Sequence, residues 1–167
     1  MNNDLEEKIA AIYELHQGLF PADEFACHRG CATCCTSSVT ACETEAGIAA
    51  AFMAGNGIPL TRAEMTAAGR QLSLSTNAYA AACLAGETVE DEEHDLSPCP
   101  LLSHGKCLIY PARPFVCRAF VSTADCAISG AADIPPWLVS LNTVIQQVIE
   151  RNQSQDTAPK VGPPPNL

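Results

Sequence analysis

Apolar residues in the first twenty positions recur with a helical period: Leu5, Ile9, Ile12, Tyr13, Leu19 and Phe20 share one side of a predicted helix over residues 3–20. Asp4, Glu6 and Glu7 occupy its first turn, where the positive end of the helix dipole favours anions, and Pro21 ends it. The stretch "TACETEAGIAAAFMAGNG" predicts a second helix, beginning near Thr40 or Glu43 and stopping at Gly55-Asn56-Gly57. Thr61 and Glu64 form a capping-box pattern that opens a longer helix running to about Leu84. In "CPLLSHGKCLIY" two short apolar runs flank Ser103-His104-Gly105, which predicts a small hairpin. A helical turn is expected after Pro114. Last, "PPWLVSLNTVIQQVIERNQ" sets Trp137, Leu138, Leu141, Ile145 and Val148 on one face of an amphipathic helix. These elements predict a mainly α fold, a small helical domain with a short β-hairpin. Residues 1–151 read as one domain and 152–167, "NQSQDTAPKVGPPPNL", as a Pro-rich flexible tail. There is no internal repeat.

Composition adds that the core must be thin. Alanine is common and only five Phe, three Tyr and one Trp are present, so closely packed slender helices need an additional staple. The net charge is −10, with Glu87, Glu90, Asp91, Glu92, Glu93 and Asp95 crowded into an expected solvated loop. So negative a chain repels phosphate backbones, which argues against nucleic acid as a partner. The N-terminus is charged and periodic, unlike a secretory signal. No run of about twenty apolar residues exists to form a membrane-spanning helix. A cytoplasmic protein is expected.

Ten cysteines then change the picture. Reducing conditions disfavour disulfides, and clustered thiols in that compartment point to metal. Cys42 and Cys83 lie in predicted helices among alanines and read as small buried hydrophobes. The other eight form two groups in sequence: Cys27, Cys31, Cys34 and Cys35, then Cys99, Cys107, Cys117 and Cys126. Two such groups let distant segments close over one metal centre or two, supplying the staple. Cys31-Ala32-Thr33-Cys34 has the spacing of a zinc knuckle. Cys27-x3-Cys31-x2-Cys34 matches the three-cysteine spacing that holds a [4Fe–4S] cluster in radical enzymes, although the chain is too short for their barrel and lacks its strand–helix alternation. Nothing resembles a dedicated copper(I) array. Adjacent Cys34 and Cys35 do not readily point at the same ion, so each can serve a different centre, or one can be buried. Of the nine Lys and Arg, Arg29, Lys106, Arg113 and Arg118 sit next to cysteines, and Arg113 and Arg118 are the better candidates to offset thiolate charge from behind the ligands. His28 and His104 lie within the two groups; His16 and His94 look incidental.

The motifs "CHRGCATCC", "VTACETEAGIAAAFM" and above all "CPLLSHGKCLIYPARPFVCRAF" resemble the YkgJ-type cysteine-cluster family, named for its CxxCxxCC motif, and the resemblance implies chelation of zinc or iron. The resemblance covers about residues 25–126. It implies that Cys27, Cys31, Cys34, Cys35, Cys99, Cys107 and Cys117 take the cluster positions, with Cys126 a further member. The first gap here is three residues, not two. A related cluster occurs in flagellin lysine methylases, but no Gly-rich nucleotide loop follows a strand in this chain, so methyl transfer does not carry over.

The expected function is metal binding: an iron–sulfur cluster, slightly favoured, or zinc, in a structural or electron-carrying role. The alternatives are a redox or group-transfer enzyme (or its accessory module) with an open metal position, and a metal carrier that delivers its ion to a protein partner. Catalysis is the less favoured reading, because no Ser-His-Asp arrangement, carboxylate pair or phosphate loop can be assembled.

Overall fold

The computed structural model describes residues 3–20, 24–36, 39–59, 75–89 and 97–157. Within them lie α1 (Asn3–Gly18), α2 (Glu43–Gly55), α3 (Thr76–Ala85), β1 (Leu102–Ser103), β2 (Lys106–Cys107), a 3-10 turn (Tyr110–Ala112), α4 (Phe115–Ala119), α5 (Cys126–Ser129) and α6 (Pro136–Thr157). The fold is mainly helical with a short antiparallel hairpin, as the pattern predicts. None of these helices is long and apolar enough to cross a membrane.

α1 and α6 frame the core. On α1 the buried positions are Leu5, Ile9 and His16, with Ile12 and Tyr13 half-buried between them. On α6 they are Leu138 and Ile149, with Asn142 and Ile145 half-buried on the same face. Between these two helices sits the short α4. Phe115 is 1 % exposed and packs with Ala119 and Ile149, against Ile12, Tyr13, Cys42 and Ile145. Its ring lies 6.3 Å from that of Tyr13 and 4.9 Å, edge-on, from His16. A single aromatic side chain removed from water in this way contributes about 1.5–3 kcal/mol, so much of this thin core depends on Phe115.

Polar groups fix how the other helices meet this core. Glu45, three residues after Cys42, accepts the Cys42 N–H at 3.0 Å and so caps α2. α3 lies on α6 and is held at its start by Glu150, whose carboxylate accepts from the backbone N–H groups of Thr76 (3.0 Å) and Asn77 (2.9 Å). These are donors that a helix leaves unpaired at its first turn. The hairpin pairs Leu102 with Cys107 and Ser103 with Lys106. Its loop residues His104 (φ 49°) and Gly105 (φ 72°) are both left-handed, the geometry whose twist matches a two-residue hairpin.

Several expectations need correcting. Ser75 is extended (φ −71°, ψ 163°) and its hydroxyl accepts from Ala78 N–H, so α3 starts with its own cap and does not continue unbroken from Thr61; residues 60–74 lie outside the described set. On α6, Trp137 is 54 % and Val148 41 % exposed, and Ile149 takes the core position instead. Trp137 and Val148, about three turns apart, stand on one edge of the predicted stripe, and the core lies toward the neighbouring line of Leu138, Asn142, Ile145 and Ile149. α6 also runs to Thr157, six residues into the predicted tail. His16 is not incidental but buried, and His94 falls outside the described residues together with most of the acidic loop. Cys42 is half-buried against the core as expected, whereas Cys83 is exposed on α3.

Candidate metal-binding site

The cysteine loop leaves α1 through a chain of rings. Phe20 meets His16 at 4.6 Å, Phe25 at 5.2 Å and Trp137 at 6.4 Å. Beyond them the backbone joins the segment after α4: Ala26 N–H donates to Ser122 O at 2.9 Å, and Ser122 N–H donates to Cys27 Sγ at 3.2 Å. Cys31 N–H closes a turn onto His28 O at 3.0 Å. Gly30 at φ +104° makes that turn possible, in a region that side-chain-bearing residues rarely enter. The extra residue in the Cys27–Cys31 gap is thus accommodated in a conformation suited to glycine.

The far end of the loop joins a different part of the chain. Cys35 O accepts from Cys99 N–H at 3.0 Å, and Thr36 bridges Pro98 in antiparallel fashion. Cys99 O in turn accepts from Leu102 N–H at 3.0 Å, which leads directly into the hairpin that carries Cys107. Cys117 follows on α4, half-buried above the core.

The ten thiols are all free. Burial pushes Cys117 up to about 12, with the neighbouring thiols Cys99, Cys107 and Cys35 adding to the rise. Cys35 is pushed up to about 11, first by burial and then by Cys34, Cys107, Cys99 and Cys31. Cys34 is solvent-exposed as a residue, but partial desolvation of its thiol still raises it, with Cys27, Cys31 and Cys126 adding to the rise. Cys27 is raised by burial, against the pull of the Ser122 N–H, and has Cys31 and Cys126 beside it. Cys99 rises by burial, offset in part by a backbone hydrogen bond from Leu101, with Cys107 the thiol beside it. Cys27 and Cys34 each feel Cys31 and Cys126, while Cys35 feels Cys34 and Cys31 as well as Cys107 and Cys99. Among the described residues no three Cys, His, Asp or Glu side chains form a group placed to hold an ion.

Three arginines surround the thiols. Arg113 lies over the Tyr110 ring at 3.9 Å, with Arg29 on the same ring at 5.5 Å. Arg113 Nε is buried and has no hydrogen-bond partner among the described residues, and its charge acts on both Cys27 and Cys117. Arg118 turns toward the core: it lies over Tyr13 at 4.3 Å, and its Nε and Nη2 donate to Arg113 O (3.0 Å) and Pro111 O (2.6 Å). It braces the backbone on which Arg113 and Cys117 stand. His28 and His104 are exposed, and His28 Nδ1 pairs with Ala26 O at 3.0 Å.

The sequence reading passed over Glu45. It is 2 % exposed, and its Oε1 takes both the Tyr13 hydroxyl (2.5 Å) and the Phe115 N–H (2.6 Å). The helix bearing Cys117 is thereby tied to α1 and α2. Its capping-box offset from Cys42 was the available signal. Cys42 itself packs against the core, and burial and then Glu45 push its thiol up to about 12.

Fold and site together define a small, mainly helical, cysteine-rich protein whose thiols are gathered from both ends of the chain. No family model, curated protein or solved structure matches it.

Proposed function

We propose that this protein holds a metal centre through its clustered cysteines, in a structural or electron-carrying role, with an iron–sulfur cluster favoured over zinc. The observation that carries the reading is the convergence of distant segments. Residues 27–35 are hydrogen-bonded at one end to Ser122 and at the other to Cys99, which supports a reading in which the first cysteine group meets the segments that carry the second. The donor set suits a thiophilic metal. Sulfur is the available ligand, a backbone N–H already points at Cys27 Sγ, and Arg113 supplies a partly buried positive charge with an unpaired N–H. Because burial keeps several of these thiols protonated near neutral pH, metal binding releases protons.

On this reading Cys27, Cys31, Cys34, Cys35, Cys99, Cys107, Cys117 and Cys126 hold the metal, which ties the N-terminal loop to the hairpin. Arg113 and Arg118 stand behind them, and the centre supplies either cross-linking or reversible one-electron chemistry. The YkgJ-type resemblance and a cytoplasmic location belong to the same proposal. Cys34, which is exposed, favours metal delivery as the second reading. The test is elemental and sulfide analysis with a visible spectrum on anaerobically purified protein. Iron with matching sulfide supports the cluster, and zinc without sulfide replaces it. Replacing Cys31 or Cys117 by Ser removes metal, whereas Cys83→Ser retains it. Protein isolated with neither metal, and unable to take one up, overturns the proposal.

A further inference from the structure

We propose that Arg29 and Arg113 form an oxyanion-binding site, which takes the carboxylate or phosphate group of a small ligand beside the Tyr110 ring. The inference stands on the arginines and holds whether or not the thiols carry metal.

Separate segments build the place. Tyr110 opens the 3-10 turn, and the buried Ile109 and Ala112 anchor the backbone on either side of it. Arg113 follows that turn, with its guanidinium carbon 3.9 Å from the ring centroid. Arg29 arrives from the cysteine loop and lies 5.5 Å from the same centroid. The left-handed turn at Gly30 holds it there, closed by the bond from Cys31 N–H to His28 O at 3.0 Å. Arg118 braces the Arg113 backbone by donating to Arg113 O.

What these two side chains leave unused points to a ligand. Lys8 pairs with Asp4, Arg118 donates to two carbonyls, and Arg151 donates to Asn77 Oδ1. Among the described residues the guanidinium of neither Arg29 nor Arg113 has a carboxylate or other hydrogen-bond acceptor, although the chain carries 19 Asp and Glu. Arg113 Nε is moreover buried, where a donor without a partner is costly. Two like charges held on one ring also repel each other until an anion joins them. Attraction to the Tyr110 ring is electrostatic and consumes none of the N–H donors. Charge that Arg113 lends to nearby thiols leaves those donors free as well. A guanidinium presents them as a planar fork that matches two oxygens of one carboxylate or phosphate. The net charge of −10 repels a large polyanion, so the ligand is a small one.

The test follows the arginine Nε–Hε resonances of nitrogen-15-labelled protein, as purified, during titration with inorganic phosphate and separately with acetate, at constant ionic strength set by chloride. Saturable shifts of Arg29 and Arg113, with Arg118 unmoved, are expected, and the anion that binds more tightly tells phosphate from carboxylate. Arg29→Ala, an exposed substitution away from the core, weakens binding about tenfold or more. Arg113→Lys keeps the charge, loses the fork and weakens binding comparably. Lys106→Ala, exposed on the hairpin, changes it less than about twofold. Linear shifts that chloride reproduces mean an adventitious ion only. That result, an R29A variant that binds as tightly as wild type, or a K106A variant as damaged as R29A, overturns the site. Metal content is measured on every sample. Metal without anion binding refutes this inference and leaves the metal-binding reading standing, and anion binding without metal does the reverse.

Discussion

Replacing Glu45 by alanine isolates the contact that connects the core to the thiols. Its two oxygens satisfy three donors on three elements: the Tyr13 hydroxyl, the Phe115 N–H and the Cys42 N–H. The Phe115 N–H is buried, and leaving such a group unpaired costs about 2 kcal/mol. Loss of the α2 cap adds about 1 kcal/mol, and loss of the Tyr13 bond about 1 kcal/mol more. Against this, alanine escapes the desolvation that the buried carboxylate suffers, which returns about a quarter of that total, so the expected net loss is about 3 kcal/mol. That is a large part of the 5–15 kcal/mol typical of a domain. Glutamine distinguishes the geometry from mere burial. Tyr13 and Phe115 share Oε1 and only Cys42 uses Oε2, so Glu45→Gln in the right flip keeps two bonds and loses one, about 1–2 kcal/mol. The assay is urea unfolding followed by far-UV circular dichroism at equal metal occupancy, because bound metal stabilises by mass action. An E45A variant within about 1 kcal/mol of wild type, or an E45Q variant as damaged as E45A, would refute the three-donor account.

The remaining expectations concern titration and backbone. Burial holds His16 below its ordinary 6.5 despite its hydrogen bond to Asn142, so the unfolded chain takes up a proton first. Stability is therefore full above that value and declines as pH falls from it toward the folded pKa; urea midpoints should show this in wild type and less of it in His16→Gln. For Glu150 burial is the largest single influence and raises it, but the hydrogen bonds from Thr76 and Asn77 together win and hold it below 4.5. Its contribution is present above 4.5 and is lost as pH falls through the folded pKa, so acid unfolding should be shallower for Glu150→Gln. Gly30→Ala meets no atom within 4 Å, so its cost is backbone strain alone at φ +104°, about 1–2 kcal/mol by chemical denaturation. An unchanged midpoint would show that the turn relaxes.

The hydrophobic and polar pattern by itself determined the local elements. It identified α1, α2, the hairpin and the turn after Pro114, because each is set by neighbours within a few positions: a period of apolar residues, a cap, a pair of left-handed loop residues. It also singled out the cysteines, since clustered thiols are rare enough to stand out in composition alone. Which residues meet was decided only by the tertiary structure. Sequence order separates Cys35 from Cys99 and Cys27 from Ser122, yet hydrogen bonds across 64 and 95 positions bring them together. His16 and Glu45 could not be read as buried from their residue type, because water normally claims a charged or titratable group unless partners supplied by distant segments replace it. Here those partners are Asn142 for His16, and Tyr13 and Phe115 for Glu45.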